Sequence, residues 1–168
     1  MPSVAVSAAP AADSITGKYL TFRLGEEEYG IGVVRVREIM GMQHITPVPQ
    51  TPSHVRGVIN LRGKVIPVID MRGKLGFPHR EDDKKTCIVV VSAIVTGEET
   101  MTGVVVDSVT EVVQIAAEEI EQPPSFGSDA DIGYLIGVAR SADRVKLLLD
   151  IDRVLDAEDN LTALAATS

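Results

Sequence analysis

The chain has one cysteine and no tryptophan, and its only aromatic side chains are three phenylalanines and three tyrosines. A lone Cys87 excludes an internal disulfide, and its place inside the run CIVVVSAIV reads as an inert, buried thiol of a cytosolic protein. That run, Cys87 to Val95, is the longest apolar stretch, spans nine residues and contains a serine. A bilayer needs roughly 18 to 20 apolar residues, so no membrane-spanning helix is expected. Basic residues are missing before Lys18, and with no compact apolar core there the N-terminus does not read as a signal peptide. Positive charge is also short. A net charge of −8 speaks against nucleic acid or an anionic membrane surface, either of which needs a dense basic footprint.

Groups for chemistry are equally scarce. His44, His54 and His79 sit in loops without i, i+4 spacing and without a second cysteine to complete a zinc shell; they read as surface histidines. GVINLRGK resembles a phosphate-binding loop only superficially: five residues separate Gly57 from Gly63, and Val65 stands where Mg²⁺ needs a hydroxyl. The tandem acids Glu26 to Glu28, Glu81 to Asp83 and Glu118-Glu119 fall in turns and polar loops, where solvated carboxylates are expected. No serine or threonine sits in a nucleophile-elbow pattern. Neither an enzyme nor a cofactor is therefore expected.

What the sequence does have is a 45% hydrophobic content built on Val, Ile and Leu, a globular profile with strand bias. Residues 1–16 read as a disordered leader, 17–156 as one folded region and 157–168 as a tail or frayed helix. Leu20, Phe22 and Leu24 alternate with polar neighbours as in a half-buried strand, and Tyr29 to Val33 returns after a Glu-rich turn. Val33, Val36, Ile39 and Met40 recur at helical spacing, which predicts a short helix near 34–40 ended by Gly41. ITPVPQTP is extended. A helical piece over Met71 to Gly76, an exposed loop His79 to Lys85, strands paired around Thr96-Gly97, a helical Ala116 to Glu121, a loop through 123–131, two more strands and a helix from about Asp150 complete the reading.

The most informative stretch is VRGVINLRGKVIPVIDMRGKL, Val55 to Leu75. Two β-branched runs, suited to strands covered on both faces, flank Arg62-Gly63, a hairpin connection in which Gly63 takes positive φ. Gly57 leaves room for another backbone or a partner to come close, and Pro67 argues for an edge position or a bulge. The chain also echoes itself. Gly57-Val58 and Asp70 correspond to Gly137-Val138 and Asp150, both offset by 80, and Val36-x-Glu38 to Val109-x-Glu111, offset by 73. Two related β units of short strands are the simplest account, and such strands are the mark of small barrels. Charge is distributed unevenly: between Arg35 and Lys74 seven basic residues face two acidic ones, a local +5 that leaves −13 for the remainder. This is either a solvated face or half of a charge-complementary protein interface.

At these residues the chain resembles the CheW family of chemotaxis coupling proteins. YLTFRLGEEEYGIGVVRVREI, TPVPQTPSHVRGVINLRGKVIPVIDMR, TGVVVDSVTEVVQI and the segment Ile136 to Val154 match it in order. The resemblance implies a mainly β fold of two small five-stranded β-barrels packed together with short helices, and a groove between them. It further implies a non-enzymatic, cytoplasmic adaptor recruited to the inner face of the membrane through methyl-accepting receptors, whose hairpin tips it holds beside the histidine kinase CheA. Val33, Val36, Glu38, Gly57 and Arg62 match the family's receptor-contact positions, with Glu38 the partner of Arg62. Glu121, where relatives carry a basic residue, and Phe126 are the candidates for a second, kinase-facing surface. The alternative is an adaptor of another receptor–kinase pathway such as twitching motility. A detached kinase regulatory domain is disfavoured because no catalytic segment precedes the barrels, and a receiver domain does not fit the length.

Overall fold

Three strand pairs turn on short loops of small, polar or glycine residues, and these set the architecture. The computed structural model describes residues 17–122, 134–141 and 144–155. β1 (Gly17–Leu24) and β2 (Glu27–Gly32) form the first hairpin. A 3-10 turn over Val33–Arg35 leads into β3 (Val36–Gly41), and after an extended stretch come β4 (Val55–Leu61), β5 (Lys64–Asp70) and the one-turn helix α1 (Met71–Lys74). β6 (Cys87–Val95) and β7 (Glu98–Val106) form a third hairpin, followed by β8 (Ser108–Ile115). A 3-10 turn, the two-residue β9 (Ile120–Glu121), β10 (Leu135–Ser141), β11 (Arg144–Leu149) and α2 (Ile151–Leu155) close the described chain.

The hairpins form as their residues dictate. Arg62 and Gly63 have φ of 52° and 87°, and Thr96 and Gly97 have 48° and 84°. Positive φ at both central positions matches the strand twist in a two-residue turn, and glycine at the second removes half the steric cost. The Asn60 side chain accepts the Gly63 amide at 2.8 Å and locks the first of them.

Strands assemble into a six-stranded sheet of order β8-β1-β2-β11-β10-β9 and a five-stranded sheet of order β3-β6-β7-β5-β4. The expected mainly β architecture of two units with short helices is what the molecule has. The ladders stop short of closing either sheet into a full barrel, and β9 adds a sixth strand to the first.

The repeat in the sequence is a repeat in the backbone. β4 and β5 slip register between Val55 and Gly57, and β10 and β11 slip between Leu135 and Gly137, 80 positions on. β3 slips against β6 between Val36 and Glu38, and β8 slips against β1 between Val109 and Glu111, 73 positions on. Each sheet holds one parallel contact, β5 with β7 and β2 with β11. The hairpin β1-β2 lies among strands of the second half, and β6-β7 among strands of the first. The two halves have exchanged hairpins.

Alternation divides the core in three. Along β6, Ile88 and Val90 face a cluster with Ile59, Leu61, Ile66, Val68 and Val105 inside the five-stranded sheet. Val89, Val91, Ala93 and Val95 face a larger cluster shared with Leu20, Phe22, Ile31 and the helices. The six-stranded sheet keeps a smaller interior of Tyr19, Ile115, Ala139 and Leu148. Cover on both faces, expected for β4 and β5, is thus the property of β6 and β7, while Asn60 of β4 and Val65 of β5 are exposed.

Three expectations need correction. Residues 36–41 form a strand, because β3 finds a ladder partner in β6 and its β-branched residues suit it. Pro67 lies on β5, an interior strand, yet breaks nothing. Its partner Val58 gives both backbone groups to Thr46 at 2.9 Å, and β5 meets β7 only from Val68 onward. His54 is buried, and its carbonyl accepts the Asp70 amide at 2.7 Å.

Candidate protein-interaction site

The strand Val-Arg-Glu-Ile and the arginine before it alternate between two jobs. Val36, Glu38 and Met40 turn toward the molecule and are half-buried, while Arg37, Ile39 and Gly41 are exposed. Arg35, in the preceding turn, donates from both terminal nitrogens to Asp152 of α2 at 2.8 and 2.7 Å, and also to the Ser92 carbonyl at 3.3 Å. Arg37 stands 3.6 Å from Glu99, which also accepts the Ser92 hydroxyl at 2.5 Å. The hydroxyl first, then Arg37 and Arg35, hold the Glu99 carboxyl below the usual carboxylate range. Arginines therefore anchor this strand to the second half of the chain.

Glu38 faces the other way. It accepts Arg62 Nη2 at 2.5 Å, and the expected pair is formed, with the arginine side chain 69% exposed and the carboxylate 30%. β3 and β4 are the two ends of the five-stranded sheet, so this pair ties ends that no ladder joins. Ile39 and Val65 are exposed at 46% and 70%. Val36 packs against the shared core, and Val33 is half-buried in the turn before it.

Gly57 has a different explanation from the one that sets a partner against it. Its φ is 138°, and a Cβ there would overlap the carbonyl oxygen of Thr46. The space is filled by the chain's own backbone, which bridges Thr46 and Val58. Gly137 repeats the device: a Cβ there would meet the Glu121 carbonyl at 2.8 Å. Both glycines let a crossing segment lie against a bulged strand.

Glu121 is exposed on β9 and accepts Arg140 Nε at 2.5 Å, which holds its carboxyl low and raises the guanidinium. Phe126 lies outside the described residues. An apolar cleft of 220 Å³ between Tyr29, Phe77, Tyr134 and Leu147 contains none of the predicted residues. The Cys87 thiol is half-buried, and burial raises its pKa.

The basic segment is largely matched within the molecule. Arg35 pairs with Asp152, Arg37 with Glu99, Arg56 with Asp82, Arg62 with Glu38 and Arg72 with Asp107. Four of these five carboxylates lie beyond Lys74 in sequence. The uneven charge is thus mostly complementarity between parts of one chain, and Arg62 is the most exposed guanidinium among these pairs. Some acids taken for solvated also work locally: Glu28 lies 3.5 Å from the buried Lys146, and Glu119 accepts the Ala116 amide at 2.8 Å. Sequence reasoning missed Asp107 and Asp152. The alternation of Arg and Val in RVRE hinted at anchoring, but nothing local marks acids so far along the chain.

Residues 18–159 match the CheW-like domain. The chain belongs to the CheW-like family. Similar CheW-family proteins include the chemotaxis protein CheW of Klebsiella aerogenes, 33% identical over 95% of this chain and 93% of that one. The CheW of Rhizobium meliloti is 31% identical over 86% and 90%, and protein FrzA of Myxococcus xanthus 33% over 74% and 75%. Among solved CheW structures, the scaffolding protein TtCheW of Thermoanaerobacter tengcongensis superposes with a TM-score of 0.74 at 32% identity, covering 86% of this chain and 96% of that one.

Proposed function

We propose that this CheW-family chain is a non-enzymatic adaptor that couples the cytoplasmic hairpin tips of chemoreceptors to the histidine kinase CheA. The observation that carries the reading is the Glu38–Arg62 pair at the open edge of the five-stranded sheet, on the strand that Val36 begins and just after the turn that holds Val33, both half-buried. An apolar floor supplies affinity, and an arginine at its rim can fix a carboxylate or carbonyls through two donors. Gly57 contributes by shape, letting the Thr46 segment lie close beneath the edge. Relatives named chemotaxis protein and scaffolding protein support the role. Glu121 and Phe126 belong to a second contact that faces the kinase. The folded region is 17–156, flanked by a leader and a tail, and the adaptor works in the cytoplasm at the inner face of the membrane, where receptors recruit it. Likeness to FrzA favours a second reading, an adaptor serving another receptor–kinase pathway.

Co-sedimentation with receptor fragments and CheA tests the proposal. Arg62→Glu sets two carboxylates against each other at the rim, and receptor affinity should fall at least about tenfold, or ~1.4 kcal/mol. Stability should fall by only about 1 kcal/mol or less, the usual worth of an exposed ion pair. Wild-type receptor affinity in that variant would refute the assignment.

A further inference from the structure

The chain passes between the two sheets at two connectors, and each is pinned by the same chemistry with the signs reversed. At the second connector, Asp107 is the fixed point. It accepts the Gly25 amide at 2.6 Å, Arg72 Nη1 of α1 at 2.7 Å and Arg80 Nη1 at 2.6 Å. At the first, the arginine is on the connector and the acid on the helix. Asp152 of α2 binds both terminal nitrogens of Arg35 and accepts the Ile94 amide at 2.7 Å. In both places an acid holds a β-hairpin end and a helix to the connector.

The first connector carries more than chain direction. Val33 and Val34 are in its 3-10 turn, and Val36 and Glu38 begin the strand that follows. That turn has no side-chain cap of its own, and three residues of 3-10 helix hold themselves weakly. Its rigidity must come from outside. The Arg35 guanidinium, only 18% exposed and bidentate to Asp152, is the charged contact among those that supply it, beside its bond to the Ser92 carbonyl and the bond from Arg37 to the Val34 carbonyl.

We infer that Asp152, from α2, is a positioning residue of the receptor-contact surface: through Arg35 it sets the turn that presents Val33, Val36 and Glu38 beside Arg62. This rests on the receptor reading above. It places the far end of the sequence in control of a surface built from the first half.

The test uses the full chain with receptor fragments and CheA, well below the melting temperature of every variant. Asp152→Asn keeps the shape but gives up one charged oxygen, and receptor affinity should fall about tenfold while CheA affinity stays within twofold. Amide exchange across residues 33–38 should speed up at least tenfold. Asp152→Glu keeps a carboxylate for Arg35 and for the Ile94 amide, so both losses should be smaller than in Asp152→Asn. Val105→Ala, which weakens the interior of the five-stranded sheet without touching the connector, serves as the stability control and should leave receptor affinity unchanged. If Asp152→Asn binds receptor like wild type while Arg62→Glu does not, the positioning role is overturned and the receptor surface stands. If both bind like wild type, the surface assignment fails and the inference with it. Equal loss in Val105→Ala would mark the effect as general destabilisation and also overturn it.

Discussion

The two sheets share one wiring plan but not one interior. Inside the five-stranded sheet every buried side chain of the cluster is aliphatic, from Ile59 to Val105, with Met40, Met42 and Met101 at its margin. Inside the six-stranded sheet four described residues of the cluster are buried, with Val113, Ile120 and Ile136 at its margin; one is an alanine and another Tyr19, whose hydroxyl has no hydrogen-bond partner among the described residues. Burial drives the Tyr19 pKa up. Lys146 is buried at the mouth of that sheet, beside a 210 Å³ recess shared with Ile115 and Ala139. Topology and packing are therefore separable here. Glycines, bulges and turn residues reproduce the backbone twice, while the apolar filling that stabilises it is concentrated in one copy.

That contrast can be broken at several points. The largest effect is expected at Asp107, whose side chain is 9% exposed and serves three donors. Asp107→Ala leaves Arg72 without its carboxylate and should cost about 3–5 kcal/mol in denaturant unfolding, the usual loss when one partner of a buried pair is removed. Next come two matched core truncations. Ile88→Ala empties an all-aliphatic interior and should cost about 3 kcal/mol or more, whereas Leu148→Ala should cost about 2 kcal/mol because its cluster borders the recess beside Lys146. Equal costs would show the two interiors to be energetically alike.

Smaller effects sharpen the same comparison. Thr102 is fully buried with its hydroxyl unpartnered among the described residues, as is that of Tyr19. Thr102→Val and Tyr19→Phe should therefore be neutral or stabilising by up to about 1 kcal/mol, since each removes an unsatisfied group at nearly constant shape. Thermal melts that drop instead would reveal a partner for the hydroxyl. The smallest effect is at Glu99. Its carboxyl titrates below the usual range because of Ser92 and Arg37, so its stabilisation is present above the ordinary carboxylate pKa and is lost as pH falls through the lower folded value. Glu99→Gln should melt lower than wild type at neutral pH, and the gap should begin to close only as pH falls below the ordinary glutamate value, about 4.3, and vanish below the lower folded value.

Much of the fold was legible because local chemistry carried it. Arg62-Gly63 and Thr96-Gly97 announced hairpins, and the 80-residue echo from Gly57 and Asp70 to Gly137 and Asp150 announced two related units, each with a helix start at its Asp: Asp70 and Asp150 accept the Arg72 and Asp152 amides at 3.0 and 3.1 Å. The pairing of Glu38 with Arg62 followed from the family resemblance instead. Residues 36–41 misled, since Val36, Ile39 and Met40 fit a helical stripe as well as a strand, and only the presence of β6 decides. At Gly57 the close approach was legible but not its source: of another backbone or a partner, the neighbour is the Thr46 backbone.

By itself the sequence determined where the chain turns, that it does so twice in the same manner, and that its core would be built on apolar strands. These follow from backbone sterics and from side-chain alternation, which act within a few residues. Only the tertiary structure decided that the halves trade hairpins, that the basic segment is answered by Asp82, Glu99, Asp107 and Asp152, and that one interior is wholly aliphatic while the other holds Tyr19 and borders Lys146. Pairing between distant strands and distant charges depends on which surfaces meet once both are folded, and spacing along a chain does not record that.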